Sequence, residues 1–126
     1  MTALTRVLWD EGPARIKAAE ALGQMGPLAK PAVLSLTNLL KGPDPEARIQ
    51  AALALWRIDD RAGEAVGVLV NAMGDADAAV RQHAAKALGN IGAPAGPAVP
   101  TLRKALTDTD EAVRSEATVA LKKIGA

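Results

Sequence analysis

The chain has 126 residues, of which 49% are apolar, a length and composition that suit one domain with its own core. Fifteen basic and fourteen acidic residues leave a net charge of +1, which gives no global field that would favour nucleic acid or an anionic membrane. The absence of cysteine excludes disulfides, thiolate catalysis and Cys-ligated zinc, and without an apolar run long enough for a signal peptide or a membrane span a cytoplasmic location is the default expectation.

A period of 33 residues organises the chain, and it predicts five segments in order within a single domain, 1–126. Residues 1–9 correspond to the back half of a second helix. Three full repeats follow at 10–42, 43–75 and 76–108, and 109–126 is the first helix of a fourth. Both ends are then cut within a repeat, so we expect the last helix of one molecule to dock head-to-tail on the first half-helix of another. The period is clearest in two sets of equivalent positions, each of which we call a column. The first is Arg15, Arg48, Arg81 and Arg114, and the second is Leu22, Leu55, Leu88 and Leu121.

The first helix of each repeat carries its own start and stop signals. In the third repeat Asp77 stands at the N-cap and Gly92 ends the helix, and in the second repeat Asp44 is followed by Pro45 at the first helical position. Between these signals, apolar residues recur at the spacing of one buried helical face. In the third repeat they are Val80, Ala84, Ala87, Leu88 and Ile91.

The second helix of the third repeat is predicted to begin near Pro97, after the short turn GAPAGP, and to stop at the turn 107–109. Neither helix hides its apolar stripe alone, so the repeats are expected to stack as antiparallel helix pairs in an all-α solenoid. The predicted buried arc of this second helix consists of Val99, Leu102, Ala105 and Leu106.

The segment DADAAVRQHAAKALGNIGAPAGPAVPTLRKAL closely resembles a HEAT repeat, of the short kind also found in phycobilisome-lyase-like proteins. The resemblance covers essentially the whole chain, with the period, the caps, Val-Arg, Ala-Leu-Gly-x-Ile-Gly and Ala-Val-Pro-x-Leu all in register. It implies a solenoid whose second helices line the inner, concave side. The second repeat departs most from the pattern. It has Trp56 where the first and third repeats have Gly23 and Gly89, and Asp59 where they have Gly26 and Gly92.

The arginine column has two interpretations. Four guanidinium groups at regular spacing would form a phosphate-binding stripe. Alternatively, each arginine pairs with the acid four residues before it, or with the neighbouring repeat's acid, and so fixes the stacking register. We prefer the structural ladder because every arginine has its own carboxylate, as in the Asp and Arg ladder of HEAT repeats. The predicted pairs are Glu11 with Arg15, Asp44 with Arg48, Asp77 with Arg81, and Asp110 with Arg114.

No catalytic constellation, cofactor or metal site is predicted, so we expect a non-enzymatic protein. His83, the single histidine, lies at the edge of the first-helix apolar face in a column of long polar residues, which is typical of a solvated surface. It lacks the convergent partners that a metal site needs. Acidic residues such as Asp108 and Asp110 sit at helix starts, where capping explains them.

The predicted binding surface is a strip on the second helices. Its side chains are small, neutral and hydrogen-bonding, and become basic towards the C-terminal end, which suits a protein or peptide better than a polyanion. Trp56 is a candidate anchor, although packing against a neighbouring repeat explains it as well. The strip consists of Ser35, Asn38, Val68, Asn71, Thr101 and Lys104.

The main functional hypothesis is therefore a scaffold that mediates protein–protein interaction through this strip. The alternative, implied by the resemblance to phycobilisome lyases, is an accessory segment of a larger lyase-like enzyme that holds a substrate protein or a chromophore. Nucleic-acid binding, as in HEAT-like DNA glycosylases, predicts a basic and aromatic concave face that this sequence does not provide, and a membrane partner is not expected either.

Overall fold

The computed structural model describes residues 13–126, and every regular element in that range is helical. The predicted half-helix at 1–9 and the predicted pair of Glu11 with Arg15 lie outside the described residues. The chain divides into two compact units, one ending at Arg61 and the other spanning Ala62–Ala126, and the division falls between the two helices of the second repeat. That the whole chain forms one domain stays a prediction. Within 13–126, none of the helices combines the length and the apolar character needed to cross a bilayer.

The helices follow the predicted order. The first unit contains α1 (Pro13–Met25), a 3₁₀ segment (Gly26–Ala32), α2 (Val33–Leu39) and α3 (Pro45–Asp59). The second contains α4 (Ala62–Ala72), α5 (Ala78–Ile91), a 3₁₀ segment (Ala93–Ala98), α6 (Val99–Ala105) and α7 (Glu111–Ile124). The odd-numbered helices are thus the first helices of the four repeats, and α2, α4 and α6 are second helices.

The predicted N-caps are confirmed at the starts of α3, α5 and α7. In each case an aspartate side chain accepts a backbone N–H of the first turn, a contact that is generally worth about 1 kcal/mol because that N–H has no partner within the helix. Pro45 occupies the first position of α3, where its missing N–H costs nothing. The caps join Asp44 to the N–H of Glu46 (3.1 Å), Asp77 to that of Ala79 (2.9 Å) and Asp110 to that of Val113 (3.1 Å).

The segment predicted as the turn GAPAGP is instead a 3₁₀ helix that runs directly into α6. Pro94 and Pro97 lie exposed along it, and Pro100 follows at the same spacing in the first turn of α6. A proline cannot donate the hydrogen bond to residue i−4 that an α-helix requires, but its fixed φ suits the tighter 3₁₀ turn. The second helix therefore begins as 3₁₀ helix at Ala93 and becomes an α-helix only at Val99.

The first helices end in a left-handed or positive-φ residue. Gly26, Gly92 and Gly125 have φ of 61°, 78° and 95°, values that glycine adopts without a steric cost. The second repeat lacks this glycine. There α3 continues through Asp59, and Asp60 takes the left-handed conformation at φ 55°, which aspartate tolerates better than most residues.

In the unit 62–126, α5 and α7 pack side by side, with α4 against α5 and α6 against α7. A Cβ on Gly89 would lie 3.0 Å from the Cα of Ala120, so the two first helices approach as closely as a glycine allows. All five apolar positions predicted for the first-helix face of α5 are buried, as are Leu102 and Ala105 of α6, whereas Val99, also predicted to be buried, is half-buried. Leu106 is a correction to the prediction: it is 40% exposed because α6 ends at Ala105 and Leu106 begins the turn.

The unit that ends at Arg61 is built in the same way. The helices α1 and α3 pack together, and α2 with its 3₁₀ segment packs on α3. Leu22, Leu36 and Leu55 form the centre of its core. A Cβ on Gly23 would lie 3.0 Å from the Cα of Ala54, which repeats the close approach made by Gly89 in the other unit.

Candidate functional site

A groove of about 320 Å³ lies between the second helices α4 and α6. It belongs entirely to the unit 62–126. Two of the residues predicted for the binding strip, Thr101 and Lys104, stand on its α6 side. The full lining is Val70, Met73, Gly74, Thr101, Lys104, Ala105 and Asp108.

The groove has an apolar floor and a polar rim. Met73 and Ala105 are buried, with 8% and 6% of their surface exposed, and Val70 is half-buried beside them. Thr101 is also half-buried, whereas Lys104 is exposed. This arrangement suits a ligand that places one apolar group between the helices and a polar group above it.

The charge of Asp108 at the groove is already compensated. Its two carboxylate oxygens accept hydrogen bonds from Nε and Nη2 of Arg81, each at 3.0 Å, and Oδ1 also accepts the N–H of Asp110 at 2.9 Å. Arg81, and then the Asp110 N–H, hold the pKa of Asp108 below its usual value of 3.8. The same contact raises the pKa of Arg81. Asp108 is therefore an ionised structural residue that faces the groove as one half of a neutral pair.

The other residues of the predicted strip fall in different places. On α4, Val68 is half-buried and Asn71 is exposed, and neither lines the groove. On α2, in the other unit, Ser35 is half-buried and Asn38 is exposed.

The predicted strip omits five of the seven residues that line the groove. Ala105 is predicted as a buried residue rather than a binding one, and Val70 lies on α4 between the strip residues Val68 and Asn71. Met73 and Gly74 follow Val70 by three and four residues, and would have been found by extending its helical face by one turn. Asp108 was assigned to capping, which explains its contact with the N–H of Asp110 but not its position at the groove.

The arginines of the column make contacts within the protein. The predicted pairing with the acid four residues earlier is wrong for Arg48, Arg81 and Arg114, whereas Arg15 pairs with an acid of the neighbouring repeat, Asp44. Within 13–126 no ion pair joins Asp44 to Arg48, Asp77 to Arg81 or Asp110 to Arg114, because each aspartate faces its own helix start as an N-cap. The guanidinium groups reach backbone carbonyls, the acid at the end of the same repeat (Arg81 to Asp108) or an acid of the next repeat (Arg15 to Asp44). Arg48 donates to Gly42 O (2.6 Å), Arg114 to Asp108 O (2.7 Å), Arg81 to Asp75 O (2.9 Å) and to Asp108, and Arg15 to Asp44 Oδ2 (3.2 Å).

Trp56, the candidate anchor, is half-buried near the C-terminal end of α3. The guanidinium carbon of Arg57 lies 5.8 Å from the centroid of its ring, within the range of a cation–π contact. His83 is exposed on α5. In the part of the chain that the structure describes, no three histidine or carboxylate side chains converge into a metal-binding set.

A second groove, of about 460 Å³, lies on the first helices α5 and α7. It is the larger of the two, but Asp110, Glu111 and Glu116 make it acidic and it has no apolar floor. The Asp110 carboxylate already caps α7. We favour the groove between α4 and α6 as the candidate site because it combines buried apolar surface with polar groups that a ligand can reach.

Comparison with known proteins agrees with this architecture. The family model described as HEAT repeats matches residues 33–122, and the model described as PBS lyase HEAT-like repeat matches residues 14–42. No curated protein matches the chain. The resemblance seen in the sequence is thereby confirmed.

Solved structures show the same fold. One engineered protein is 30% identical over 97% of this chain and 61% of its own, with a TM-score of 0.70. Another is 26% identical over 97% and 62%, with a TM-score of 0.68. A designed armadillo repeat protein, 24% identical over 97% and 63%, has a TM-score of 0.62 and shares the fold alone. The predicted class, the all-α solenoid, is confirmed, and the chain spans about three-fifths of the length of these proteins.

Proposed function

The chain belongs to the HEAT-repeat family, and from that premise we propose that it is a non-enzymatic scaffold that binds a segment of another protein on its second helices. The observation that carries this proposal is the groove between α4 and α6, which combines a buried apolar floor with an exposed polar rim. Interfaces of this kind gain most of their affinity from a few side chains that fill such a depression, while the polar rim sets orientation.

The chemistry of the groove supports a protein segment over the other ligand classes. A polyanion such as nucleic acid requires several cationic groups along its path, and the charges that line this groove are one lysine and one aspartate. The residues that line the groove include no histidine, serine or cysteine, so neither a Ser–His nor a Cys–His pair is present there. An extended or helical peptide needs only one apolar pocket and a few hydrogen-bonding groups.

The alternative of an accessory segment that holds a substrate protein or a chromophore has less support. The PBS lyase HEAT-like match covers residues 14–42, while the groove lies in the unit 62–126. A shared repeat fold does not transfer a function by itself.

The test is a peptide selection followed by a blocking substitution. A random-peptide display library is selected against the immobilised chain, and binding of the enriched peptides is measured by calorimetry. Thr101→Trp fills the groove without changing its charge, and we expect it to weaken binding about tenfold or more, which corresponds to about 1.4 kcal/mol.

Thr118→Trp is the matched control, because Thr118 is exposed on the first helix α7. Circular dichroism checks that both variants are folded. Equal binding by the wild-type chain and the Thr101→Trp variant would show that the second-helix groove is the wrong surface.

A further inference from the structure

We infer that the groove between α4 and α6 selects a protein segment in which an acidic side chain lies next to an apolar one. Lys104 is the residue that binds the acidic side chain. This inference rests on the proposed function and adds the chemistry of the partner.

Lys104 is the uncompensated charge of the groove. Its side chain is exposed at the rim, and within residues 13–126 it has no ion-pair partner. The matching positions of the earlier repeats are Asn38 and Asn71, so the cation is particular to this repeat. An ammonium group at the edge of an apolar depression attracts a carboxylate more strongly than in open water because the buried floor lowers the local dielectric constant.

The acids around the groove do not neutralise this cation. Both oxygens of Asp108 are bound by Arg81, and its pKa is lowered, so it remains a charged partner of that arginine. Asp75, next to Gly74 in the chain, turns its Oδ1 to the N–H of Asp77 at 2.9 Å. A carboxylate brought by a ligand therefore meets Lys104 without displacing an existing partner.

The floor of the groove supplies the apolar contacts to the partner segment. Met73 and Ala105 are buried and Val70 is half-buried, so the floor presents aliphatic and thioether surface rather than hydrogen-bonding groups. Methionine also adapts its shape to different side chains, which suits an apolar pocket that accepts more than one residue type. The partner segment thus carries a medium-sized apolar side chain in the groove and an acid beside it at the rim.

The experiment compares peptides selected by two forms of the whole chain. A random-peptide display library is selected against the wild type and against Lys104→Glu, a substitution of an exposed residue. We expect the wild type to enrich peptides with aspartate or glutamate next to an apolar residue. The variant is expected to lose these peptides and to enrich peptides with lysine or arginine next to the apolar residue. Replacing the acid of a wild-type peptide by its amide is expected to weaken binding about three- to tenfold, less at high salt.

Arg103→Glu is the matched control for charge. Arg103 is exposed and adjacent to Lys104 on α6, but it does not line the groove. If Arg103→Glu changed the selected peptides as Lys104→Glu does, the preference would come from the general field of α6 and the inference would be overturned. It would likewise be overturned if peptides blocked by Thr101→Trp bound equally well as acid and amide, an outcome that leaves the proposed function standing. Peptides that Thr101→Trp does not block would contradict the proposed function and this inference together.

Discussion

Arg81 and Arg15 hold the same position in two repeats but have different surroundings. Arg81 forms a two-bond contact with Asp108. Among residues 13–126, Arg15 reaches a carboxylate only at Asp44, through one 3.2 Å bond, and its buried Nε has no acceptor. The residue of the first repeat that matches Asp108 is Gly42. The absence of a carboxylate at that position explains the unsatisfied nitrogen, and a buried donor without an acceptor generally costs about 1–3 kcal/mol.

We predict that Gly42→Asp stabilises the protein by about 1 kcal/mol. The new carboxylate would give Arg15 the two-bond partner that Arg81 has, and it would accept the N–H of Asp44. The added Cβ lies 3.3 Å from the carbonyl oxygen of Leu39, so a shift of a few tenths of an ångström reduces the gain. The measurement is urea unfolding. Gly42→Ala is the control that adds the Cβ alone, and equal stability of the two variants would contradict the explanation.

The Arg81–Asp108 contact predicts a specific pH dependence. A carboxyl whose pKa is lower in the folded than in the unfolded protein stabilises the fold above its ordinary value of 3.8, and this contribution is lost as pH falls through the lowered pKa. We therefore expect the free energy of unfolding to fall more steeply below about pH 4 for the wild type than for Asp108→Asn. Parallel curves for the two proteins, measured by urea unfolding from neutral to acid pH, would rule out this role of Asp108.

Among the helices, the close approach of neighbouring first helices depends on one glycine in each unit, Gly23 for α1 and α3 and Gly89 for α5 and α7. A Cβ at Gly89 would meet the Cα of Ala120 at 3.0 Å, a distance at which α5 and α7 must separate. Forcing extra volume into a packed contact costs about 1–3 kcal/mol, which exceeds the gain of about 1 kcal/mol that alanine brings to a helix.

We predict that Gly89→Ala lowers the free energy of unfolding by up to about 2 kcal/mol, measured by thermal and urea unfolding. Gly67→Ala is the matched control, because Gly67 lies inside α4 with nothing within 4 Å of an added Cβ. This variant is expected to gain up to about 1 kcal/mol through helix propensity. Effects of the same sign in both variants would show that helix contact is not what selects Gly89.

The bounds of the α-helices in the third repeat could be predicted from the sequence to within about two residues, but the 3₁₀ segment that precedes the second helix could not. Asp77 and Gly92 mark the first helix at both ends through local hydrogen bonds and a positive φ, which are properties of single residues. The start of the second helix is set by prolines that favour 3₁₀ geometry, and its early end leaves Leu106 exposed. Helical periodicity assumes one uniform helix and misses both features.

At the scale of the whole molecule, the repeat predicts which residues occupy equivalent positions but not which of them meet. Thr101 and Lys104 lie in the groove as part of the predicted strip, while Val68 and Asn71 do not. Met73, Gly74 and Asp108 enter it from the ends of helices, where the chain turns. A column assigns every repeat the same role, whereas the groove depends on how two consecutive second helices and their turns pack.

An NMR titration decides whether the second helices carry the binding surface. The ¹⁵N-labelled chain is titrated with a peptide enriched by the wild type, and the backbone amide shifts are mapped. We predict that the largest changes fall on Val70, Met73, Gly74, Thr101 and Ala105. Changes concentrated instead on the first-helix groove, at Gln82, Ala112 and Ser115, would contradict this prediction.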